Sequence, residues 1–416
     1  MARCGVRSAS TSRAYRVGRI DSVPKPSLSS RAALLQPSPT LGITAKANAM
    51  RAAGEDVISL GAGEPDFPTP DAVCEAAIQA IREGFTKYTP TGGIAPLREA
   101  IAAKLCAENG LSVSAGQIVV TAGAKQALYE AAMVALEPGD EAILIAPYWM
   151  TYAEQIRLAG ATPVAVHTRQ EEGFQPDLDE LRQAIGPRTR AIFVNTPCNP
   201  TGAVYPHQTV RAIADLAVAH GLWIVADEIY ERLTYDAEHH SIAAMSDAAA
   251  ACTITVGGCS KTYAMTGWRI GYAAAPAHVA SAMTNLQDQV TSNAVSFAQK
   301  GALRALSLPR EQVETMRQEF RARRDLIIQC LAEIPGVATT LPQGAFYVLP
   351  NVREFLADGE SDLGLAERLL TEARVAVIPG SVFEAPGHLR ISYAAGRDQI
   401  RAGIARIAEV LSKVAR

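Results

Sequence analysis

The stretch GGCSKTYAMTGWRIG, residues 257–271, decides both the fold class and the chemistry expected of this chain. It directly follows residues 253–256, an apolar run typical of a buried strand. Within it Lys261 and Arg269 stand eight residues apart among small residues. A desolvated lysine beside another cation has a lowered pKa and can act as a Schiff-base amine. Most single lysines are solvated surface groups, so the surrounding motifs decide between these interpretations.

On both sides of this stretch, short apolar runs alternate with helical patterns, which is typical of an α/β domain with a mostly parallel sheet. Strands are predicted at residues 117–121, 142–145, 191–195, 222–226, 253–256 and 269–274. Helices are predicted at residues 70–84, 96–109 and 125–136. After a polar helical stretch near residues 311–329, strands at 345–349, 375–378 and 388–393 and a closing helix from Arg397 predict a smaller α+β domain.

Four segments are predicted. Residues 1–31 form a basic, disordered tail, residues 32–60 an N-terminal segment that packs with the small domain, residues 61–305 the large domain and residues 306–416 the small domain. The tail prediction depends on six basic residues against one acid, Asp21, in the first thirty positions. Transit peptides share this composition, but a flexible tail is the preferred interpretation.

The overall composition predicts a cytoplasmic protein that acts on a small molecule. Its 416 residues carry 39 Lys and Arg against 42 Asp and Glu, a net charge of −3, so nothing favours nucleic acid as a partner. No uninterrupted apolar run reaches the ~20 residues of a membrane helix. The seven cysteines are scattered without a C-x-x-C pair, which predicts reduced thiols and no metal site.

Polar groups follow the predicted strands where a doubly wound sheet binds ligands. The turn TAGAK, residues 121–125, offers backbone N–H groups to a phosphate. By itself, however, this pattern is typical of an ordinary tight turn. Trp149 ends one strand in PYW, and a buried tryptophan is usually a core residue. Asn199 lies in the rigid turn NTPCNPTG, and Asp227 begins DEIY, where it is either a ligand contact or a helix N-cap.

Seven motifs in this order carry a resemblance to a known family. They are GAGEPDF (61–67), KYTPTGG (87–93), PYW (147–149), NTPCNPTG (195–202), DEIY (227–230), SKTYAMTGWRIGY (260–272) and HLRISYA (388–394). Together they resemble the class I pyridoxal-phosphate aminotransferases, and more narrowly the bacterial aspartate aminotransferases of the shorter, non-mammalian subgroup. The resemblance extends from about Pro37 to the C-terminus. It implies the type I fold of pyridoxal-phosphate transferases.

The resemblance implies a cofactor role for each matching residue. Lys261 would bind pyridoxal 5'-phosphate as a Schiff base and later carry the proton, and Asp227 would keep the pyridine nitrogen protonated. Tyr230 and Asn199 would hydrogen-bond the phenolic oxygen, and Trp149 would stack on the ring. The phosphate would be bound by the backbone of Gly123 and Ala124, by Ser260 and Arg269, and by Tyr88 of a neighbouring subunit, which implies a homodimer.

For the substrate, the resemblance implies that Arg390 binds the α-carboxylate, with Trp149, Asn199 and the Gly63 backbone beside it. Lys125 would meet the distal carboxylate, aided by the segment at residues 37–40. The implied reaction moves the amino group of L-aspartate to 2-oxoglutarate in a two-stage, ping-pong mechanism. Its products are oxaloacetate and L-glutamate.

Some residues depart from the family pattern, and other activities stay open. Gly257 stands where the family usually has asparagine, and Cys259 occupies a variable position of the same motif. Both residues loosen the phosphate-binding loop, but neither replaces one of the cofactor-binding residues given above. Members that accept prephenate tend to carry a basic residue where this chain has Gln36, which argues against prephenate. The alternatives are an aminotransferase for aromatic or aliphatic amino acids, a lyase or synthase, and a non-enzymatic effector-sensing module.

Overall fold

The computed structural model describes residues 26–35 and 39–413. The chain divides into two compact units, residues 1–36 and 37–416. In the first unit, a short helix, α1 at Ser30–Leu34, begins where Ser29 Oγ accepts a hydrogen bond from the Ala32 N–H. Residues 1–25 of the predicted tail lie outside the described residues, so the disorder of the tail stays a prediction.

Helices of the second unit are distributed along its whole length. They are α2 Pro39–Ala52, α3 Asp71–Arg82, α4 Ala95–Asn109, α5 Ala124–Ala135, α6 Thr151–Leu158, α7 Leu178–Ala184, α8 His207–His220, α9 Asp247–Ala251, α10 Ala277–Val290, α11 Ser296–Leu306, α12 Arg310–Ala332, α13 Asp362–Arg368 and α14 Arg397–Leu411. Helix α4 ends at Gly110, whose φ of 70° is the left-handed conformation that glycine adopts without strain. Among the described residues, no helix combines the length and the apolarity that crossing a membrane requires.

Twelve strands lie between these helices in the described part of the chain. They are β1 Ile58–Ser59, β2 Ile118–Thr121, β3 Glu141–Ala146, β4 Thr162–His167, β5 Thr189–Asn195, β6 Trp223–Asp227, β7 Thr253–Gly258, β8 Gly271–Ala274, β9 Tyr347–Val348, β10 Val375–Ala376, β11 Ile378–Pro379 and β12 Leu389–Ser392. Seven of them form one sheet in the order β2-β8-β7-β6-β5-β3-β4. Strand β8 runs antiparallel to its neighbours β2 and β7, and the other four pairs are parallel, so the predicted α/β fold with a mostly parallel sheet is confirmed.

Burial explains which strands the sequence revealed. The central strands are covered on both faces, and residues 142–146 of β3 are all buried, which gives the continuous apolar run of a parallel strand. The edge strand β4 was not predicted. Its side chains are mostly part-exposed and it contains Pro163, which is atypical of a central strand, so its apolar run is limited to residues 164–166.

Two smaller sheets join the ends of the chain. Strands β11, β12 and β9 pair antiparallel, and β1 pairs in parallel with β10, so that Ile58 lies opposite Val375. The hydrophobic core around these sheets combines residues 43–60 with residues 316–411. The predicted boundary at residues 305 and 306 between a large and a small domain stays a prediction.

The parallel strands place the polar motifs at one edge of the large sheet. Strands β3, β5, β6 and β7 run in the same direction, so their carboxyl ends meet at the same edge. Directly after these ends come PYW, NTPCNPTG, DEIY and SKTY. The motifs that the sequence separates by more than a hundred residues therefore face one region of space.

Candidate active site

A cavity of about 600 Å³ opens at this edge of the sheet. Its lining contains residues from both ends of the chain, among them Gly63, Ala124, Lys125, Trp149, Asn199, Asp227, Tyr230, Ser260, Lys261, Arg269 and Arg390. Gly123 precedes Ala124 in the chain, at the start of helix α5. Neither Gly123 nor Tyr88 lines the cavity itself, and Tyr88 is 90% exposed.

Lys261 points its amine into the cavity. Its Nζ donates a hydrogen bond to the backbone oxygen of Gly63. Burial lowers the pKa of this amine to about 8, with the carboxylate of Glu64 opposing the shift and the guanidinium of Arg390 adding to it. A sizeable fraction of the amine is therefore neutral near pH 8 and able to act as a nucleophile.

Asp227 ends strand β6 with a buried carboxylate. Its Oδ2 accepts a hydrogen bond from the Tyr152 hydroxyl at 2.6 Å, and its Oδ1 accepts one from the Ile229 N–H at 3.2 Å. Burial raises the pKa of this carboxyl to about 6, although both hydrogen bonds and the charge of Lys261 lower it. A cationic group bound beside Asp227 would complete the stabilisation of the carboxylate.

Two tyrosine hydroxyls meet on another side of the cavity. The oxygens of Tyr230 and Tyr347 lie 2.9 Å apart, and Tyr347 belongs to strand β9 of the small sheet. Burial raises the pKa of Tyr230 well above its ordinary value. Tyr230 therefore stays a neutral phenol that can donate a hydrogen bond to a ligand oxygen.

The turn before helix α5 is shaped for a close approach of Arg269. Gly123 has φ +84°, and a Cβ there would collide with the Arg269 guanidinium, so only glycine fits. The Gly123 N–H donates to the Thr121 carbonyl oxygen at 2.8 Å. Among the described residues, the N–H groups of Ala124 and Lys125 meet no protein acceptor. The free backbone donors of this turn therefore begin at Ala124, next to a guanidinium, which is a favourable environment for an anion.

Arg390 is a buried cation for which the described residues supply no carboxylate. Its Nη1 donates to Asn199 Oδ1 at 3.0 Å and its Nη2 to the Gly61 carbonyl oxygen at 2.9 Å. Its Nε is buried without a partner, and the guanidinium lies 4.5 Å from the ring centre of Tyr347 and 4.9 Å from that of Phe383. Burial lowers the pKa of Arg390, but a guanidinium stays charged in proteins. A buried charge held only by neutral groups indicates a binding site for an anion.

Lys125 lies at the exposed side of the cavity. Its Nζ is 4.8 Å from the ring centre of Trp149, within the range of a cation–π contact. Desolvation and the positive charge of Arg269 lower the pKa of this amine. Besides Lys261 and Arg269, the cavity lining therefore has a buried cationic side chain, Arg390, and an exposed one, Lys125.

Three aromatic residues of the cavity were missed by the sequence analysis: Tyr152, Tyr347 and Phe383. Tyr152 follows Trp149 by three residues, and the two rings pack edge to face at 5.5 Å. That spacing on the helical turn into α6 was a usable signal. No local signal identifies Tyr347 or Phe383, because the pairing of the small sheet brings them to the cavity.

Behind Asp227 lies a second polar cluster. One ligand atom from each of Glu228, Glu231 and His239 lies within 4.8 Å of the others, a spacing that a metal ion could use. Glu228 already accepts hydrogen bonds from the Ser241 hydroxyl and the His239 ring, and Glu231 pairs with Lys104. These contacts anchor the DEIY segment within the protein, and the absence of a metal from this chain stays a prediction.

Residues 55–407 match the family described as aminotransferase class I and II. The chain belongs to this family. A relative from Aquifex aeolicus, named a probable aspartate/prephenate aminotransferase, is 48% identical over 93% of this chain and 99% of its own length. The aspartate aminotransferase of Geobacillus stearothermophilus is 47% identical over 91% of this chain and 98% of its own.

The fold agrees with solved aminotransferases as well. The aspartate aminotransferase of Thermus thermophilus with maleate superposes with a TM-score of 0.89, at 46% identity over 93% of this chain and all of its own. Class I aminotransferases use pyridoxal phosphate, so the chain is an enzyme of that chemical class. The sequence-based assignment to this family is confirmed. These relatives are named as aminotransferases and not as non-enzymatic effector-sensing modules.

Proposed function

We propose that this aminotransferase transfers the amino group of L-aspartate to 2-oxoglutarate, with pyridoxal 5'-phosphate as its cofactor. The observation that carries the proposal is the buried guanidinium of Arg390, which shares a cavity with the amine of Lys261 and lacks a carboxylate partner among the described residues. An amino acid presents a carboxylate and an amine on the same carbon. Its carboxylate would pair with Arg390 while its amine lies near Lys261.

The residues present fit the cofactor. The free N–H of Ala124, the guanidinium of Arg269 and the buried hydroxyl residue Ser260 suit a phosphate, and the carboxylate of Asp227 suits a protonated ring nitrogen. Bound pyridoxal phosphate withdraws electrons from the carbon that carries the substrate's amino group and so makes its proton acidic. Asp227 would preserve this withdrawal because a carboxylate stabilises the cationic ring nitrogen. Its raised pKa of about 6 belongs to the protein alone, since the new cation would lower it again.

Lys261 would act in two ways on one atom. Its Nζ would hold the cofactor, and in its neutral form the same amine would accept the acidic proton from the substrate carbon and later return it. A pKa near 8 suits this exchange, because the amine can hold and release a proton near neutral pH. Tyr230 and Asn199 would fix the ring by hydrogen bonds to its phenolic oxygen, and Trp149 would cover its face.

The proposed preference for a dicarboxylic substrate follows from Lys125, the exposed cationic side chain of the cavity. Lys125 would meet the distal carboxylate of aspartate or glutamate, and the Thermus thermophilus relative was solved with maleate, a compound with two carboxylates. The names of the relatives divide between aspartate and aspartate/prephenate aminotransferases. Gln36, the residue that argues against prephenate, and the side chain of Thr40 lie outside what the structure describes. The preference against prephenate therefore stays a prediction.

The Lys125→Ala variant tests substrate choice. It should lower kcat/KM for aspartate about 10- to 100-fold, because a hydrogen bond to a charged group contributes roughly 1.5–3 kcal/mol, and should change kcat/KM for alanine and phenylalanine much less. The two neutral donors serve as internal controls for the cofactor loop. An equal loss for every donor would assign Lys125 to the loop and favour an aminotransferase of broad or aromatic specificity.

A cytoplasmic homodimer with shared sites is the proposed assembly. Tyr88 is 90% exposed, and Val290 and Val295 are 51% and 42% exposed, which is apolar surface suited to a partner. The segment of Tyr88 is joined to helix α11 because Gln299 Nε2 donates to Thr89 Oγ1 at 3.1 Å. Tyr88 of one subunit would then contact the phosphate bound by the other. The cysteines of the described part are free, which suits a reducing compartment.

Mixing two defective variants tests the shared site. A Tyr88→Ala chain keeps Lys261, and a Lys261→Ala chain keeps Tyr88, so a mixed dimer contains one site with both residues intact. Co-refolding equal amounts should give activity above that of both parents, up to about one quarter of the wild type for random pairing of two-fold dimers. Sedimentation should show a dimer. Activity no higher than the mean of the parents, with an active monomer, would contradict a shared site.

A further inference from the structure

The backbone on both sides of Ala122 is held by side chains at the start of helix α5. The Ala122 N–H donates to Gln126 Oε1 at 2.6 Å, and the Ala122 carbonyl oxygen accepts from Arg269 Nη2 at 3.3 Å. These two groups belong to consecutive peptide planes, so the contacts restrain both φ and ψ of Ala122. The direction of the free N–H groups that follow, at Ala124 and Lys125, depends on these angles.

The amide of Gln126 is in turn held in one orientation. Its Nε2 donates to Glu130 Oε1 at 2.8 Å and to Thr291 Oγ1 at 2.6 Å. Turning the amide over would bring its carbonyl oxygen against Glu130 Oε1 and its N–H against the Ala122 N–H. Because Glu130 accepts on one side, Gln126 must present its oxygen to Ala122.

Glu130 is difficult to explain by stability alone. Its side chain is fully buried on helix α5, and its Oε2 has no hydrogen-bond partner in the described part of the chain. Burial raises the pKa of the carboxyl to about 8, and the hydrogen bond from Gln126 opposes this shift. An unpaired buried polar atom is destabilising, and an apolar side chain would pack there without that penalty. The hydrogen bond from Gln126 is the contact that distinguishes Glu130 from a leucine.

We propose that Gln126 and Glu130 are positioning residues that aim the turn at residues 121–125 toward the cofactor phosphate. Glu130 orients the Gln126 amide, the amide holds the Ala122 N–H, and the turn then presents its free N–H groups to the phosphate. Neither side chain lines the cavity. The inference rests on the proposed function, because it requires a phosphate at this turn.

Binding measurements on the cofactor-free protein test the pair. Gln126→Leu and Glu130→Leu should each weaken binding of pyridoxal phosphate, measured by absorbance titration, by about tenfold, the equivalent of one hydrogen bond. Inorganic phosphate, measured by the rise in melting temperature that it produces, should bind more weakly by a similar factor.

The double variant should lose no more binding affinity than about the larger of the two single losses, because both residues act on one contact. Glu130→Gln keeps an acceptor oxygen and should restore binding to within about threefold.

The matched control is Gln175→Leu. Gln175 is a part-buried glutamine whose Nε2 donates to the Val204 carbonyl oxygen, far from the turn in sequence. Because Gln175 does not line the cavity, its replacement should leave both dissociation constants unchanged. Unchanged constants in Gln126→Leu, which replaces a part-exposed residue, or equal losses in Gln175→Leu, would overturn the inference. If the wild type itself binds neither phosphate nor pyridoxal phosphate, the proposed function fails instead.

Discussion

Lys261→Ala is expected to give a folded protein in which transamination is at least about 10⁴-fold slower, since removing a group that acts as part of a catalytic unit has effects of this size. The variant lacks both the atom that binds the cofactor and the atom that carries the proton. Its cofactor should be bound weakly and be removable by gel filtration. Single-turnover absorbance measurements with aspartate provide the readout, with circular dichroism as the check of the fold.

Lys261→Arg is the matched control. It keeps a long cationic side chain in the buried position, but a guanidinium is not a nucleophile near neutral pH. It should therefore bind cofactor better than Lys261→Ala and remain as inactive. Activity retained within about tenfold of the wild type in either variant would remove Lys261 from the chemistry.

Arg390→Ala should reduce kcat/KM for aspartate by about 30- to 5,000-fold, because truncating one partner of a buried, hydrogen-bonded charge pair costs roughly 2–5 kcal/mol. The loss has a specific signature. β-Alanine has the amine and the distal carboxylate of aspartate but lacks the α-carboxylate, so it gains little from Arg390. The ratio of kcat/KM values for aspartate and β-alanine should therefore fall sharply in the variant.

Arg390→Lys separates charge from geometry. A lysine supplies a cation without the planar fork that binds a carboxylate through two hydrogen bonds, so it should recover part of the lost rate and not all of it. Asn199 Oδ1 and the Gly61 carbonyl oxygen each accept one hydrogen bond from the guanidinium, and neither acceptor requires the planar fork. A change of less than about threefold in Arg390→Ala would assign the α-carboxylate to another residue.

The sequence alone was sufficient to predict those cavity residues that belong to a distinctive local motif. Asp227 ends the buried strand β6, Lys261 follows β7 and Arg269 precedes β8, each in a distinctive motif, and all three line the cavity. The parallel sheet was predictable for the same reason, since strands covered on both faces give unbroken apolar runs. Strand β4 shows the limit, because this part-exposed edge strand has an apolar run of only three residues, 164–166, next to a proline.

Other parts of the site depend on contacts between distant segments. Tyr347 reaches the Tyr230 hydroxyl through the pairing of strands β9 and β12, and neither sequence segment specifies this alone. The Gly123 N–H was expected to bind phosphate, yet it donates to the Thr121 carbonyl oxygen in the structure. Such a local turn competes for a backbone donor, and its formation depends on φ and ψ values that a motif does not encode.

The bond between Arg390 and the Gly61 carbonyl oxygen joins positions 329 residues apart, and β1 pairs with β10 across a similar span. Contacts of such high sequence separation form slowly in folding because a long loop must close first. During synthesis, the proposed substrate pocket cannot form until the chain has left the ribosome beyond Arg390. Binding of the substrate carboxylate at Arg390, as proposed, would therefore require a chain in which residues 61 and 390 have already met.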